Sequence, residues 1–371
     1  MIHSVIISGY RALANFKMAG LGQVNLLVGK NNTGKSSVLE ALYLLKTGGD
    51  PSALWRVMTR RGEQLPPEVR VPQGELDLCH VFHGHEIKPD STISIATSNQ
   101  SPEQAIQFKA IPARREDNPT LFAQMPAEFE RTTSARLAIS ITGSPNPLVP
   151  LVPLSPRYGL RPEMFQTLNN MAVNAPRIDA TSPQLVTTES WSMPELMQGW
   201  NTISLTPYDK RVVSALKHLD PTINAIAVSL LPQFYGGYQR GGFKIGKDGK
   251  EQPELIGSMG EGTWRMFAIA VALSRAKDNL LLIDEIDTGF HHTVMAEMWR
   301  FLFATAKDLN VQVFATTHSH DCVHALSVIC RADVMSGSEV TIQRIETGKS
   351  KAVAYTEAEI KAIAENNIEA V

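Results

Sequence analysis

The stretch QVNLLVGKNNTGKSSVLEALYLLK, residues 23–46, decides the fold. Gln23 to Val28 is an apolar run of strand length. It enters Gly29-Lys30-Asn31-Asn32-Thr33-Gly34-Lys35-Ser36, which fits the spacing G-x-x-x-x-G-K-S. Beyond it, Val38, Leu39, Ala41, Leu42 and Leu45 recur at helical spacing, with no breaker before Gly48-Gly49. Strand, glycine-lysine loop and helix are the first unit of an α/β domain and the context that the loop motif requires. In such a loop the backbone N–H groups and the helix N-terminus converge on phosphate oxygens, a lysine adds a point charge at the β and γ oxygens, and the serine hydroxyl binds Mg²⁺. Asn31, Asn32, Thr33, Gly34, Lys35, Ser36 and Ser37 are therefore the candidates for binding ATP, with Ser36 also a candidate metal ligand. A chance glycine-rich turn would not bring both flanking elements with it.

Leu280-Leu281-Leu282-Ile283-Asp284-Glu285 is four apolar residues ending in two acids. A buried parallel strand delivering carboxylates at its C-terminal tip has this form. Paired with the loop at Lys35, it assigns Asp284 to the Mg²⁺ shell through water and Glu285 to polarising the attacking water. Phe314-Ala315-Thr316-Thr317-His318 ends a further strand, where a histidine can bond the γ-phosphate. The segment His318, His320, Asp321, Cys322, His324 also admits a metal-site reading. No second cluster of ligands accompanies it.

Ser258-Met259-Gly260-Glu261-Gly262 opens a helix just ahead of the acidic strand. A serine and glycines at a helix N-terminus make a second anion site. Ser258, Gly260 and Glu261 have no task at the first site unless they meet the nucleotide of another copy, so a composite homodimer is expected. The bland alternative is an ordinary capped helix.

Between the first unit and these motifs, residues 51 to about 200 are rich in proline and in short alternating runs, Thr92–Thr97, Ala105–Ala110 and Arg136–Thr142. Prolines 145, 147, 150, 153, 156 and 162 exclude a long helix there. Helical order returns at Thr206-Pro207-Tyr208-Asp209, a capping hydroxyl followed by a proline in the first turn. A hairpin is expected at Asp248-Gly249, helices from about Glu261 and Val294, and a helical tail from Glu357 to Val371. The expected fold is α/β: a discontinuous ATPase head from 1–50 and 205–371, with a mixed or parallel sheet, and a β-rich insertion of about 150 residues at 51–204.

Composition narrows the setting. Of 371 residues 43% are hydrophobic, ample for a large core, and the net charge of −2 gives no whole-molecule attraction for nucleic acid. Cys79, Cys322 and Cys330 form no paired framework, which suits a reducing cytoplasm. No apolar run reaches the roughly 18 residues of a membrane span, so no membrane partner is expected.

The order of motifs resembles ABC-type ATPases, and within them the SMC, RecF and OLD-like group, over about 10–50 and 205–330. SMGEG stands where transporters carry LSGGQ, and DEIDTGFHH follows the acidic strand. The resemblance implies that Ser258, Gly260 and Glu261 reach the partner's γ-phosphate, that Asp287 to His291 cross the dimer interface, and that Tyr10-Arg11 lie near the nucleotide. No glutamine of the inserted region can be assigned to the Q-loop, and the long coiled coils of SMC proteins are lacking. The group implies an ATPase of a phage-defence or DNA-maintenance system, with RecF-like DNA repair as the alternative. A transporter subunit fits poorly, because a proline-interrupted insertion of this size exceeds a normal loop.

DNA or RNA is a further expected partner. Arg56, Arg60, Arg61 and Arg70 form one basic group, and Phe234, Tyr235, Tyr238, Arg240, Phe243, Lys244, Lys247 and Lys250 interleave aromatics with charge. A solvated hairpin with a packed aromatic edge is the competing reading. The chain after His318 holds Asp333, Glu339 and Glu346 without paired spacing, too little for a nuclease domain of typical size. Any nuclease or toxin activity is expected in a separately encoded effector.

Overall fold

The computed structural model describes residues 1–66, 74–97, 105–112, 137–143, 151–155, 157–161, 182–229, 242–331, 340–355 and 357–366. An antiparallel sheet contains β1 (Ser4–Tyr10), β2 (Leu13–Ala19), β5 (Thr92–Ala96), β6 (Ile106–Pro112), β7 (Leu137–Thr142) and β8 (Leu151–Pro153), in the order β2-β1-β5-β6-β7-β8. A second sheet contains β3 (Val24–Val28), β10 (Gln184–Val186), β14 (Leu280–Ile283), β15 (Gln312–Thr316), β16 (Val340–Arg344) and β17 (Val353–Tyr355), in the order β10-β14-β15-β3-β16-β17. It is parallel except for β17. Small sheets pair β4 (Leu76–Asp77) with β9 (Gly159–Leu160), and β11 (Ile223–Val228) with β12 (Phe243–Lys247) and β13 (Glu254–Leu255).

The helices are α1 (Lys35–Lys46), α2 (Pro51–Arg60), α3 (Met193–Ile203), α4 (Pro207–Lys217), α5 (Glu261–Arg275), α6 (His292–Asp308), α7 (His320–Arg331) and α8 (Glu357–Asn366). Helix α1 packs against strands of both sheets, β1 and β5 on one side, β14 and β15 on the other. Its buried residues accordingly run nearly all round it, from Lys35 to Leu44.

Alternation across the parallel strands builds two cores. In β14, Leu280 and Leu282 face α1, whereas Leu281 and Ile283 join Trp264, Phe267 and Trp299 on the opposite face. A sheet covered on both faces needs buried residues at both parities, which is why β14 reads as an unbroken apolar run and β3 is interrupted only by Asn25, whose buried amide donates to the Gly22 and Val313 carbonyls. Full burial of each such leucine contributes about 1.5–3 kcal/mol.

The strands of the proline-rich stretch pair with β1 through β5, so they extend a sheet that the N-terminal hairpin begins. Part of the same stretch, β10, lies on the parallel sheet beside β14. Helix α4 begins as expected, with Thr206 Oγ1 accepting the Tyr208 N–H at 3.3 Å. No helix among the described residues is long and apolar enough to cross a membrane.

Candidate nucleotide site

All parallel strands deliver their C-terminal ends to one edge, and the loop after β3 opens there. Two glycines make that loop. Gly29 has φ 139°, and a Cβ on it would stand 2.3 Å from the Ile345 carbonyl oxygen. Gly34 has φ 99°, and its Cβ would meet Leu13 at 3.0 Å. Neither position tolerates a side chain, so the glycines of the motif are demanded by backbone geometry.

Lys35 Nζ donates to the carbonyls of Gly29 at 2.5 Å and Lys30 at 2.8 Å, folding the side chain back over the loop. Burial pulls its ammonium below the ordinary lysine range, and the carboxylates of Asp284 and Glu285 oppose that pull. Ser36 Oγ donates to Asp284 Oδ1 at 3.1 Å, which joins the phosphate loop to the tip of β14. Thr316 Oγ1 donates to the same Asp284 oxygen at 2.6 Å and accepts the Glu285 N–H at 2.8 Å. Glu285 itself sits at φ 47°, a left-handed conformation costly for a non-glycine residue. His318 Nδ1 lies 3.9 Å from Glu285 Oε1.

These groups line a cavity of about 840 Å³ whose walls include Asn31 to Ser37, Asp284, Glu285, Thr316 and His318. Arg11 lines it too, in a left-handed turn at φ 49° between β1 and β2. Its guanidinium is ion-paired to Glu63 and lies with Nε 2.7 Å from Glu40 Oε2. Tyr10 donates its hydroxyl to Glu40 at 3.0 Å, and burial together with that carboxylate pushes the phenol above its ordinary range. The remaining wall includes Arg61, Glu63, His80, His83 and His85. His83 Nδ1 lies 2.6 Å from the Arg11 carbonyl, which can only accept, so that nitrogen carries the proton. Glu63 and the three histidines of this wall are not among the residues expected from sequence, although the cluster of histidines at residues 80–85 is their visible signal.

Ser258, Gly260 and Glu261 do not line this cavity; all three are exposed at the N-terminus of α5. A Cβ on Gly260 would meet nothing within 4 Å. Of the basic group, Arg60 pairs with Glu195 and Arg61 with Glu40, both at 2.6 Å. Lys247 is held between Asp220 and Glu254, and Phe243 is packed in the core against Phe267. Arg70, Phe234, Tyr235, Tyr238 and Arg240 lie outside the described residues. At the metal-site reading, Cys322 is buried while His318, His320 and His324 are exposed. Among the described residues, no three His, Cys, Asp or Glu side chains group to hold a metal ion.

Residues 1–139 match the family described as "AAA ATPase domain", and residues 203–321 the family described as "AAA domain, putative AbiEii toxin, Type IV TA system". An "ATP/GTP phosphatase" of Helicobacter pylori is 24% identical over 350 residues, 89% of each chain. Among solved structures, the SMC head domain from Thermotoga maritima aligns with 96% of this chain and 98% of its own at 12% identity and a TM-score of 0.44. A Pyrococcus furiosus Smc head domain aligns over 99% of both at 11% identity and a TM-score of 0.46. The first matched segment carries the phosphate loop and the second carries Asp284, Glu285 and His318, the parts that the fold joins through Ser36 and Asp284, and both matched segments are of AAA ATPase type.

Proposed function

We propose that the protein is a nucleotide-switched homodimeric ATPase, the ATPase component of a phage-defence system. The observation that carries the hydrolytic part is the 3.1 Å bond between Ser36 and Asp284, which places Glu285 and His318 across one cavity from Lys35. The loop N–H groups from Asn31 to Ser37 and the Lys35 ammonium hold the β- and γ-phosphates of ATP. The Ser36 hydroxyl and the Asp284 carboxylate are hard oxygen donors of the kind Mg²⁺ takes beside phosphates, one directly and the other through water. Bound there, Mg²⁺ would neutralise negative charge on the triphosphate. Glu285 orients a water for in-line attack on the γ-phosphorus, and His318 beside it bonds the γ-phosphate.

The homodimer rests on the exposed Ser258, Gly260 and Glu261, which stand apart from their own subunit's cavity and present a helix N-terminus outward. The toxin–antitoxin description of the family matched at 203–321 favours defence over RecF-like repair. The protein's destructive partner on this reading is a separately encoded nuclease or toxin. The test is Glu285→Gln, which should bind ATP normally, accumulate as a dimer on sizing with ATP and Mg²⁺, and hydrolyse at least 100-fold more slowly than wild type. Wild-type turnover by that variant removes Glu285 from the mechanism.

A further inference from the structure

Arg265 is a fully buried cation whose hydrogen bonds converge on the acidic tip of β14 from a different element. It stands in the second turn of α5, the helix whose first turn carries Glu261 and follows Gly260. Its Nη2 donates to the backbone carbonyls of Asp284 at 2.6 Å and Glu285 at 3.1 Å. Its Nη1 donates to Ser190 Oγ at 3.0 Å and to the Thr187 carbonyl, both in the turn that follows β10. Burial pulls the guanidinium down to about 10, opposed by Asp284, Asp287, Glu285 and Glu261, so the group remains charged at neutral pH. Its Nε is buried without a hydrogen-bond partner.

A buried guanidinium is expensive, and a packed apolar side chain often serves stability as well or better. What this one adds is geometry. It fixes the peptide of Glu285, whose left-handed φ of 47° sets the direction of the carboxylate. A second contact runs beside it: a Cβ on Gly262 would stand 2.8 Å from the Gly289 carbonyl oxygen, and one on Gly289 would stand 2.9 Å from Glu261 Cγ. The start of α5 therefore cannot shift without displacing the segment after Glu285.

We infer that Arg265 is a positioning residue that ties the outward-facing N-terminus of α5 to the Glu285 of its own subunit, so that engagement of Ser258-Gly260 by a partner's nucleotide sets the carboxylate for hydrolysis. This rests on the reading of Glu285 as the group that orients water. Arg265 does not touch substrate; it acts through the Glu285 backbone and through the Thr187–Ser190 turn.

The experiment uses the full chain with Arg265→Lys, and with Ser190→Ala as a variant that keeps the buried charge. Each is measured for kcat and KM of ATP hydrolysis, for affinity toward a non-hydrolysable ATP analogue, and by single-turnover hydrolysis in a Glu285→Gln background. Arg265→Lys should lose roughly 10- to 100-fold in kcat with analogue affinity within about 3-fold of wild type. Ser190→Ala should lose roughly 2- to 5-fold in kcat alone. In the Glu285→Gln background Arg265→Lys should lose almost nothing more, because two changes acting through one group are not additive.

Losses of kcat that multiply fully with Glu285→Gln overturn the inference while leaving Glu285 in place. Loss of analogue affinity in parallel with kcat in both variants shows a purely structural role and also overturns it. Glu285→Gln turning over as wild type defeats the underlying reading itself.

Discussion

Thr316 and Asp284 meet through a 2.6 Å hydrogen bond, and the same Thr316 oxygen accepts the backbone N–H of Glu285. One hydroxyl thus fixes both acids at the tip of β14, using its proton for one and a lone pair for the other. Thr316→Val keeps the shape but leaves the half-buried Glu285 N–H without this partner, at a cost of about 1 kcal/mol. It should lower the thermal midpoint and reduce ATP turnover by roughly tenfold, while Thr316→Ser keeps both. Thermal melts alongside kcat measurements check this; a valine variant with unchanged turnover would show that Thr316 orients neither acid.

Lys35→Ala removes the cation that lies over the loop and within the field of Asp284 and Glu285. ATP binding should fall below detection in a fluorescent-nucleotide titration, since the other cations of the wall, Arg11 and Arg61, are each paired with a carboxylate. The fold should persist, because the bonds that Lys35 makes go to loop carbonyls at the surface of the site. Tight nucleotide binding by a folded Lys35→Ala chain would contradict the placement of the triphosphate.

Arg11 is clamped by Glu40 and Glu63, all three side chains being at most 11% exposed. Arg11→Ala leaves Glu63 without its cation and Glu40 with Arg61 alone, and breaking a buried pair in this way costs about 3–5 kcal/mol. Urea titration should show a midpoint shift of that size at unchanged slope. Substituting Arg11 and Glu63 together should cost less than the sum of the single changes, by the coupling between them. Strict additivity would mean that the ion pair contributes nothing.

How much of this was legible beforehand follows from how local each signal is. The phosphate loop, β3 and α1 are written in one stretch, and the strand Leu280–Ile283 and the strand Gln312–Thr316 fall where periodicity puts them. Strand β2 is not legible in the sequence, because LANFKMA mixes Lys17, Asn15 and Ala19 into a pattern buried only at Leu13, Phe16 and Met18. Strand β10 is three residues long and is a strand only because β14 lies beside it. Arg265 looks like a solvated helix cation in sequence, and its burial is decided by elements at Thr187 and Asp284. The histidine wall at residues 80–85 joins the site through the Arg11 carbonyl, a contact that no spacing rule predicts.

The exposed start of α5 gives a complementation test of the dimer. A chain carrying Lys35→Ala has a dead phosphate loop and an intact Ser258–Glu261 segment; one carrying Gly260→Arg has the reverse. A Cβ on Gly260 meets nothing within 4 Å, although its φ of 91° strains any other residue, so the arginine variant is first checked for fold by melting. Each alone should be inactive, and the mixture should regain roughly a quarter to a half of wild-type turnover, since one of the two composite sites in each heterodimer is whole. No recovery after verified heterodimer formation would place Ser258, Gly260 and Glu261 outside the partner's site.

His318 separates the ATPase reading from a metal-dependent nuclease. Its Nδ1 lies 3.9 Å from Glu285 Oε1, and it lines the cavity with Lys35 and Ser36. His320 opens α7 and Cys322 is buried with its carbonyl accepting the Trp299 indole N–H at 3.2 Å, a packing role rather than a ligand's. His318→Ala should therefore reduce ATP hydrolysis by about 10- to 1,000-fold and leave nucleotide affinity within a few-fold of wild type. His320→Ala should change neither. Plasmid, single-stranded DNA and RNA incubated with the purified protein, ATP and Mg²⁺ or Mn²⁺ should remain intact. Cleavage that survives purification, persists in Lys35→Ala and disappears in His318→Ala or His320→Ala would assign the histidines to a metal and remove His318 from the ATP site.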